Sequence, residues 1–429
     1  MSGKSMRDPV PAGGGQGLVR RFLEIRAVTR RIADPLSPED CAAQSMTEAS
    51  PIRWHLAHTT WFFETFVLAR AIEEYRPFHP RYDFLFNSYY DAIGERVPQA
   101  MRGRMTRPDL GEILDYREHV DGRVADLLAR GKDVAGDAAS AVEVGLHHEQ
   151  QHQELMLTDV KHLLSLNPLI PAYRELPVLP GRQAAPMRFL RYEGGLHSIG
   201  HTGEGFAFDN EGPRHRVFTH PFDVASRPVT NGEYLAFVEG GGYERPGPWL
   251  SDGWDWIVAE GVRAPLYWMR EGGRWRVFTL SGLRDLDPAE PVSHLSYYEA
   301  DAYARSVGAR LPREAEWELV AEDLDVDGNF VEEGLLHPRP TEDQGWDAPA
   351  ALYGDVWEWT MSPYLAYPGF RPAAGAIGEY NGKFMSNRLV LRGGSCVSPR
   401  THLRPTYRNF FGPTARWQFS GFRLARDAS

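Results

Sequence analysis

Residues 146 to 162, LHHEQQHQELMLTDVKH, place four histidines, two glutamates and three glutamines in seventeen positions. On an α-helix His148 and His152 lie one turn apart and about 40° apart around the axis. Two imidazoles at that spacing can share one metal ion, as ligand pairs inside helical bundles do. The pair is therefore a candidate half-site for a metal.

The string His148-Glu149-Gln150-Gln151-His152 also satisfies H-E-x-x-H, in which two histidines hold zinc and the glutamate is a peptidase's general base. That reading, or a zinc-dependent thiol transferase, needs a third ligand further along. The nearest, His162, lies ten residues after His152 and turns away from the pair's face. Upstream, the stretch Trp54-His55-Leu56-Ala57-His58 offers two more imidazoles. The stripe Trp54, His58, Trp61, Thr65, Leu68 and the stripe His55, Thr59, Phe62, Phe66, Ala69 both make plausible inner faces, so helical spacing leaves His55 and His58 as alternatives.

The elements that must position these groups are helices. Apolar residues recur three and four apart from Leu18 to Ala33, and a second helix is expected from Ser50, a candidate N-cap, with Pro51 at its first position. A third runs from Asp109 to a C-capping Gly131, and a fourth stops at Asn167-Pro168. Four such helices suffice for a bundle. Between the second and third lies a long connection, residues 76 to 108, of a kind that tends to be functional.

With 429 residues the chain is long enough for two or three domains. The divisions expected are a flexible N-terminus (1–17), a metal-binding four-helix bundle (18–167), a linker with five prolines (168–187) and a loop-rich α+β domain (188–429). The α+β domain shows two short helical stretches, VTNGEYLAFVEG and SYYEADAYARSVG. A net charge of -11 without a basic run argues against nucleic acid as a partner, and no apolar run is long enough for a membrane span. Cys41 and Cys396 are too few for a disulfide framework, which fits a reducing cytoplasm.

The Leu56-Ala57-His58 motif, the His148 to His152 motif and the closing RNFFGPTARWQFSGFRLAR resemble the ergothioneine-biosynthesis sulfoxide synthases. These are non-heme iron oxygenases that couple a DinB-like four-helix bundle to a formylglycine-generating-enzyme-like domain of C-type-lectin-like fold. The resemblance covers residues 18 to about 426. The C-terminal half carries it through RPVTNGEYLAFV, GARLPREAEWE, GDVWEWT, LRGGSC and SGFRLAR.

The resemblance implies iron(II) held by His58, His148 and His152, with His55 and His147 in supporting or structural roles. It implies hercynine, dioxygen and a cysteine-type thiol as substrates; in the related selenoneine synthases the donor is a selenosugar. Tyr89 and Tyr90 are the expected proton donors, with Tyr380 as the rival. Gln151, Asn409, Phe410 and Phe411 are expected to face the substrates. Arg81 is a candidate for the donor carboxylate, with Arg96, Arg102 and Arg104 not ranked against it. In the branch that uses γ-glutamylcysteine the position of Phe411 is acidic, so this chain points to a smaller donor such as free cysteine. The copper-binding cysteine pair of the formylglycine-generating enzymes aligns with Ser398 and Leu403, which implies a substrate-binding wall rather than a second catalyst. A non-catalytic binding module is the reading left if the histidines hold no metal.

Overall fold

The computed structural model describes residues 14–90, 93–130, 137–177, 183–341, 348–372 and 381–428. Among them no helix is long and apolar enough to cross a membrane. Two compact units are formed, one from residues up to Ser88 with Gly94–Gln153, the other from Tyr89–Ile93 with Glu154–Ser429.

The first unit is helical. Helix α1 (Gly14–Ala33) begins four residues earlier than its apolar pattern suggests. A short α2 (Pro38–Ala42) follows, without a counterpart among the expected helices; Ser37 and Asp40 close a capping box at its start. Next come α3 (Ile52–Phe63), α4 (Tyr82–Phe86), α5 (Leu110–Ala129) and α6 (Asp137–Ser165). All twelve residues of α3 are buried, as expected of a helix enclosed on every side rather than amphipathic. α5 packs on both α1 and α3.

Two expectations are corrected here. Ser50 does not cap α3: Pro51 holds that position without a side-chain bond, and the Ser50 hydroxyl accepts from Arg102 Nη1 at 2.9 Å. The second helix is also not one regular rod. It widens into a π-helical turn over Glu64–Leu68, where Glu64 accepts from the hydroxyls of Tyr75 and Tyr116 and from Phe78 N. The long connection holds α4 and a 3₁₀ segment at Gln99–Arg104. Gly131, the expected C-cap of α5, lies outside the described residues.

The second unit mixes short strands and short helices. One antiparallel sheet joins β1 (Phe189–Tyr192), β2 (Phe222–Ala225) and β7 (Ala425–Asp427) in the order β1-β2-β7, which pairs strands more than two hundred residues apart in the chain. A four-stranded sheet has the order β5-β4-β3-β6, with β3 (Trp357–Pro363), β4 (Leu389–Arg392), β5 (Asn409–Phe411) and β6 (Ser420–Gly421). Four helices stand beside them: α7 (Asn231–Glu239), α8 (Ser251–Ala259), α9 (Tyr297–Ser306) and α10 (Glu314–Ala321). α7 and α9 are the two expected from sequence, and α8 and α10 are additional.

The core of this unit gathers Phe222, Val224, Trp317, Val320, Phe330, Leu352 and Tyr353. Two of its buried arginines are paired with carboxylates: Arg423 donates to Glu358, and Arg392 lies against Glu314 and Glu318. Pairing is the condition on which a buried charge is tolerated.

Candidate metal centre

α3 and α6 bring three imidazoles together. His58 comes from α3, and His148 and His152 come from successive turns of α6; their ligand nitrogens all lie within 4.8 Å of one another, and all three side chains are buried. His58 Nε2 stands 3.1 Å from His148 Nε2. A single ion about 2.1 Å from each nitrogen spans such a gap. The ring centroids of His148 and His152 are 4.6 Å apart, and those of His58 and His152 are 4.8 Å apart.

The orientation of His58 follows from its neighbours. Trp54, four residues earlier, stacks on its ring at 4.6 Å and 11°, and Trp61, three residues later, stacks on the other side at 5.5 Å and 19°. Its Nδ1 lies 2.6 Å from the carbonyl of Phe86, the last residue of α4. A carbonyl only accepts, so the proton sits on Nδ1 and the Nε2 lone pair is free to face the cluster. Burial, and next the neighbouring His148, hold His58 well below the usual histidine range. Burial likewise brings His148 to about 3 and His152 well down, so the trio is neutral near pH 7, the form that binds metal.

Glu149 points to a different set of partners. Its side chain is wholly buried and accepts from Arg26 Nη1 at 2.8 Å, from Thr29 Oγ1 at 2.6 Å and from Arg117 Nη2. Burial works to raise its pKa, but Arg117 and Arg26 outweigh it and bring the carboxyl to about 2. A carboxylate so engaged is a structural anchor and a poor general base. That geometry counts against the peptidase reading of H-E-x-x-H. Arg26 continues the network to Asp121 at 2.6 Å and Thr60 at 2.9 Å.

His55 and His147 take separate positions. His147 Nε2 lies 3.2 Å from Arg21 and 3.4 Å from Glu143. His55 Nδ1 instead meets His152 Nδ1 at 2.8 Å. Adjacent helical residues point about 100° apart, which is why His147 and His148 serve different surroundings.

Family comparisons agree with this division. A model described as "DinB superfamily" matches residues 21–156, and one described as "Sulfatase-modifying factor enzyme 1-like domain" matches 179–340 and 350–428. The sequence is 32% identical to the hercynine oxygenase of Mycolicibacterium thermoresistibile, covering 96% of this chain and 94% of the relative. It is also 32% identical to that of Mycobacterium tuberculosis, covering 96% and 98%. The chain belongs to the hercynine oxygenase family. The chain is further similar to the formylglycine-generating enzyme of Streptomyces coelicolor, at 31% identity over 58% of this chain and 93% of that protein.

In this member of the hercynine oxygenase family a DinB-like helical unit precedes a mixed α/β unit of the sulfatase-modifying-factor type. Tyr89 and Tyr90, which lie inside the DinB match but belong by packing to the second compact unit, are half-buried and fully buried, their rings 4.7 Å apart. Tyr89 meets the Phe384 ring edge-on at 5.3 Å, and Lys383 donates to its carbonyl. Phe384 in turn lies 5.9 Å from Phe410, which stacks on Tyr364 at 4.0 Å. The tyrosine loop and the Asn409–Phe411 strand are thereby linked through one aromatic series. Phe411 packs toward Trp417, and Asn409 Oδ1 accepts from Phe410 N. Tyr380 lies outside the described residues.

Gln151 is half-buried on α6. Arg81 is exposed and lies over the Phe84 ring at 5.2 Å, and Arg104 is exposed too. Arg102 is buried and sits 3.4 Å over Trp54. Ser398 donates to Glu154, as does Trp357 Nε1, while Leu403 packs against the core and Cys396 is buried. Burial pushes the Cys396 thiol well above its ordinary range. The tryptophan pair around His58 has a spacing visible in the sequence, yet its supporting role emerges only from the ring geometry. The Arg26 and Arg117 anchors of Glu149 have no local signal at all.

Proposed function

We propose that this chain is an iron(II)- and dioxygen-dependent sulfoxide synthase, an oxidoreductase that joins a cysteine-type thiol to C2 of the hercynine imidazole. The observation that supports it best is the trio of neutral, buried imidazoles in a chain 32% identical along almost its whole length to two hercynine oxygenases. The donor set fits the metal: imidazole suits iron, and the three neutral rings of His58, His148 and His152 would hold it. Bound iron would supply the activation of dioxygen.

The chain's own residues have the remaining tasks. His58, His148 and His152 hold the ion. A phenol is a proton donor at neutral pH, which suits Tyr89 or Tyr90 for delivering a proton to the reduced oxygen and so favouring carbon–sulfur bond formation over simple thiol oxidation. Hercynine's trimethylammonium group has no hydrogen to donate and is met by aromatic faces, for which Phe410 and Phe411 are suited. Gln151 and Asn409 supply hydrogen-bonding amides, and Arg81 supplies a guanidinium for the donor carboxylate.

Phe411 offers no carboxylate to a donor's amine, which favours free cysteine over γ-glutamylcysteine. The same position is compatible with a selenosugar, the donor that would make the product selenoneine. Oxygen uptake and product mass with hercynine plus each of cysteine, γ-glutamylcysteine and a selenosugar test the proposal together. Uptake coupled to a carbon–sulfur or carbon–selenium product is expected with at least one donor. No uptake with any donor in iron-loaded protein overturns it.

A further inference from the structure

The three imidazoles are supported unequally. His58 has a backbone carbonyl behind it, which can only accept. Behind His152 stands another imidazole, that of His55, which can accept or donate according to its tautomer. Both rings are buried, and the contact is short, 2.8 Å between the two Nδ1 atoms. At that distance two lone pairs repel, so one nitrogen carries a proton and the other receives it.

The direction of that bond decides whether His152 can be a ligand. With Nδ1 committed to His55, the nitrogen that remains to His152 for the cluster is Nε2. A neutral ring has one proton. If His55 were the donor, the His152 proton would sit on Nε2 and face the other two histidines, closing the site to a metal. If His152 is the donor, its Nε2 lone pair is presented alongside that of His58. We infer that His55 is the positioning residue for His152: its unprotonated Nδ1 accepts the His152 Nδ1 proton and so fixes that ring's tautomer and rotation for metal binding. The inference rests on the three-histidine reading of the centre, and not on the identity of the organic substrates.

The spacing along α3 makes this arrangement possible. His55 and His58 are three residues apart and so neighbours on the helix surface, and they reach the cluster in two capacities. His58 contributes a nitrogen to it, and His55 aligns another ligand from behind. Trp54 restricts both, packing edge-on to His55 at 5.7 Å and flat on His58 at 4.6 Å. A ligand histidine whose second nitrogen has a fixed acceptor loses less freedom on binding and is more basic at the metal; removing such an acceptor typically costs about 10–100-fold in affinity.

The test uses the full-length protein and two substitutions. In His55→Asn the side-chain Oδ1 occupies the same covalent position as Nδ1 and can only accept; in His55→Leu the acceptor is gone. Cobalt(II) binding is titrated by its visible spectrum, with His148→Ala as the control for the site itself. The expected result is a loss of about 10–100-fold in His55→Leu and retention within a few-fold in His55→Asn. Unchanged affinity in His55→Leu overturns the inference, and so does an equal loss in both variants, which would make the role one of packing. Parent protein that binds no cobalt, or a His148→Ala control that binds it normally, would instead sink the metal reading and this inference with it. Should either variant fail to fold, ¹⁵N-edited NMR of the zinc-loaded parent decides alone: His152 protonated at Nδ1 and His55 at Nε2 is the expected pair of tautomers, and the reverse overturns it.

Discussion

His58 and His148 face one another through Nε2 atoms 3.1 Å apart, although ninety residues separate them in the chain. Both rings are buried, and each is carried by a helix whose rotation is constrained elsewhere. For α3 the constraint comes from the two tryptophans that flank His58, whose indole N–H groups donate to the Leu85 carbonyl and to Asp83 of α4, and for α6 it is the anchorage of Glu149.

The Glu149 anchor gives the first prediction. Replacing it by alanine leaves Arg26 and Arg117 buried beside a missing carboxylate, and breaking such a pair typically costs about 3–5 kcal/mol. Urea unfolding of Glu149→Ala should show a loss of that order, together with weakened metal binding. A variant as stable as the parent would contradict the structural role. If it were also inactive, the general-base reading would regain ground.

The tyrosines give the second. Tyr89→Phe or Tyr90→Phe should shift turnover from the coupled product toward oxidised thiol, lowering the coupled yield by about 10²–10⁴-fold if the phenol is the general acid. Product ratios unchanged in both variants would transfer the role to Tyr380.

A third prediction concerns Lys161, fully buried near the C-terminal end of α6. Its ammonium contacts His294 Nε2 at 2.7 Å and lies over the rings of Tyr267 and Phe419. Burial lowers its pKa from 10.5 to about 7, partly opposed by Cys396 and reinforced by Arg284. Between those values the unfolded chain holds a proton that the folded chain does not, so stability rises with pH across this window. The penalty is complete below pH 7 and amounts to a few kcal/mol at about 1.4 kcal/mol per unit, with the two aromatic rings returning some of it. Lys161→Met should therefore flatten the dependence of unfolding free energy on pH from 7 to 10. Parallel curves for parent and variant would refute the assignment.

The His148 and His152 pair is legible in the sequence because helical spacing alone makes them neighbours. Spacing does not separate His55 from His58, and the structure gives the reason: with all twelve residues of α3 buried, no polar face marks its orientation. In the second unit, α7 and α9 open on capping boxes, Thr230 with Glu233 and Ser296 with Glu299, and both helices can be read from sequence. The N-caps of α8 and α10 are Leu250 and Arg313, neither of which is a Ser, Thr, Asp or Asn that would signal a helix start, and neither helix is read from the sequence. The anchors of Glu149 come from α1 and α5, and no local pattern announces a long-range ion pair.

Anomalous diffraction at the iron edge from anaerobically iron-loaded crystals tests the central claim most directly. One peak is predicted within bonding distance of His58, His148 and His152 Nε2, absent from crystals of His148→Ala. A peak bound by other residues, or one that survives the substitution at full height, would contradict it.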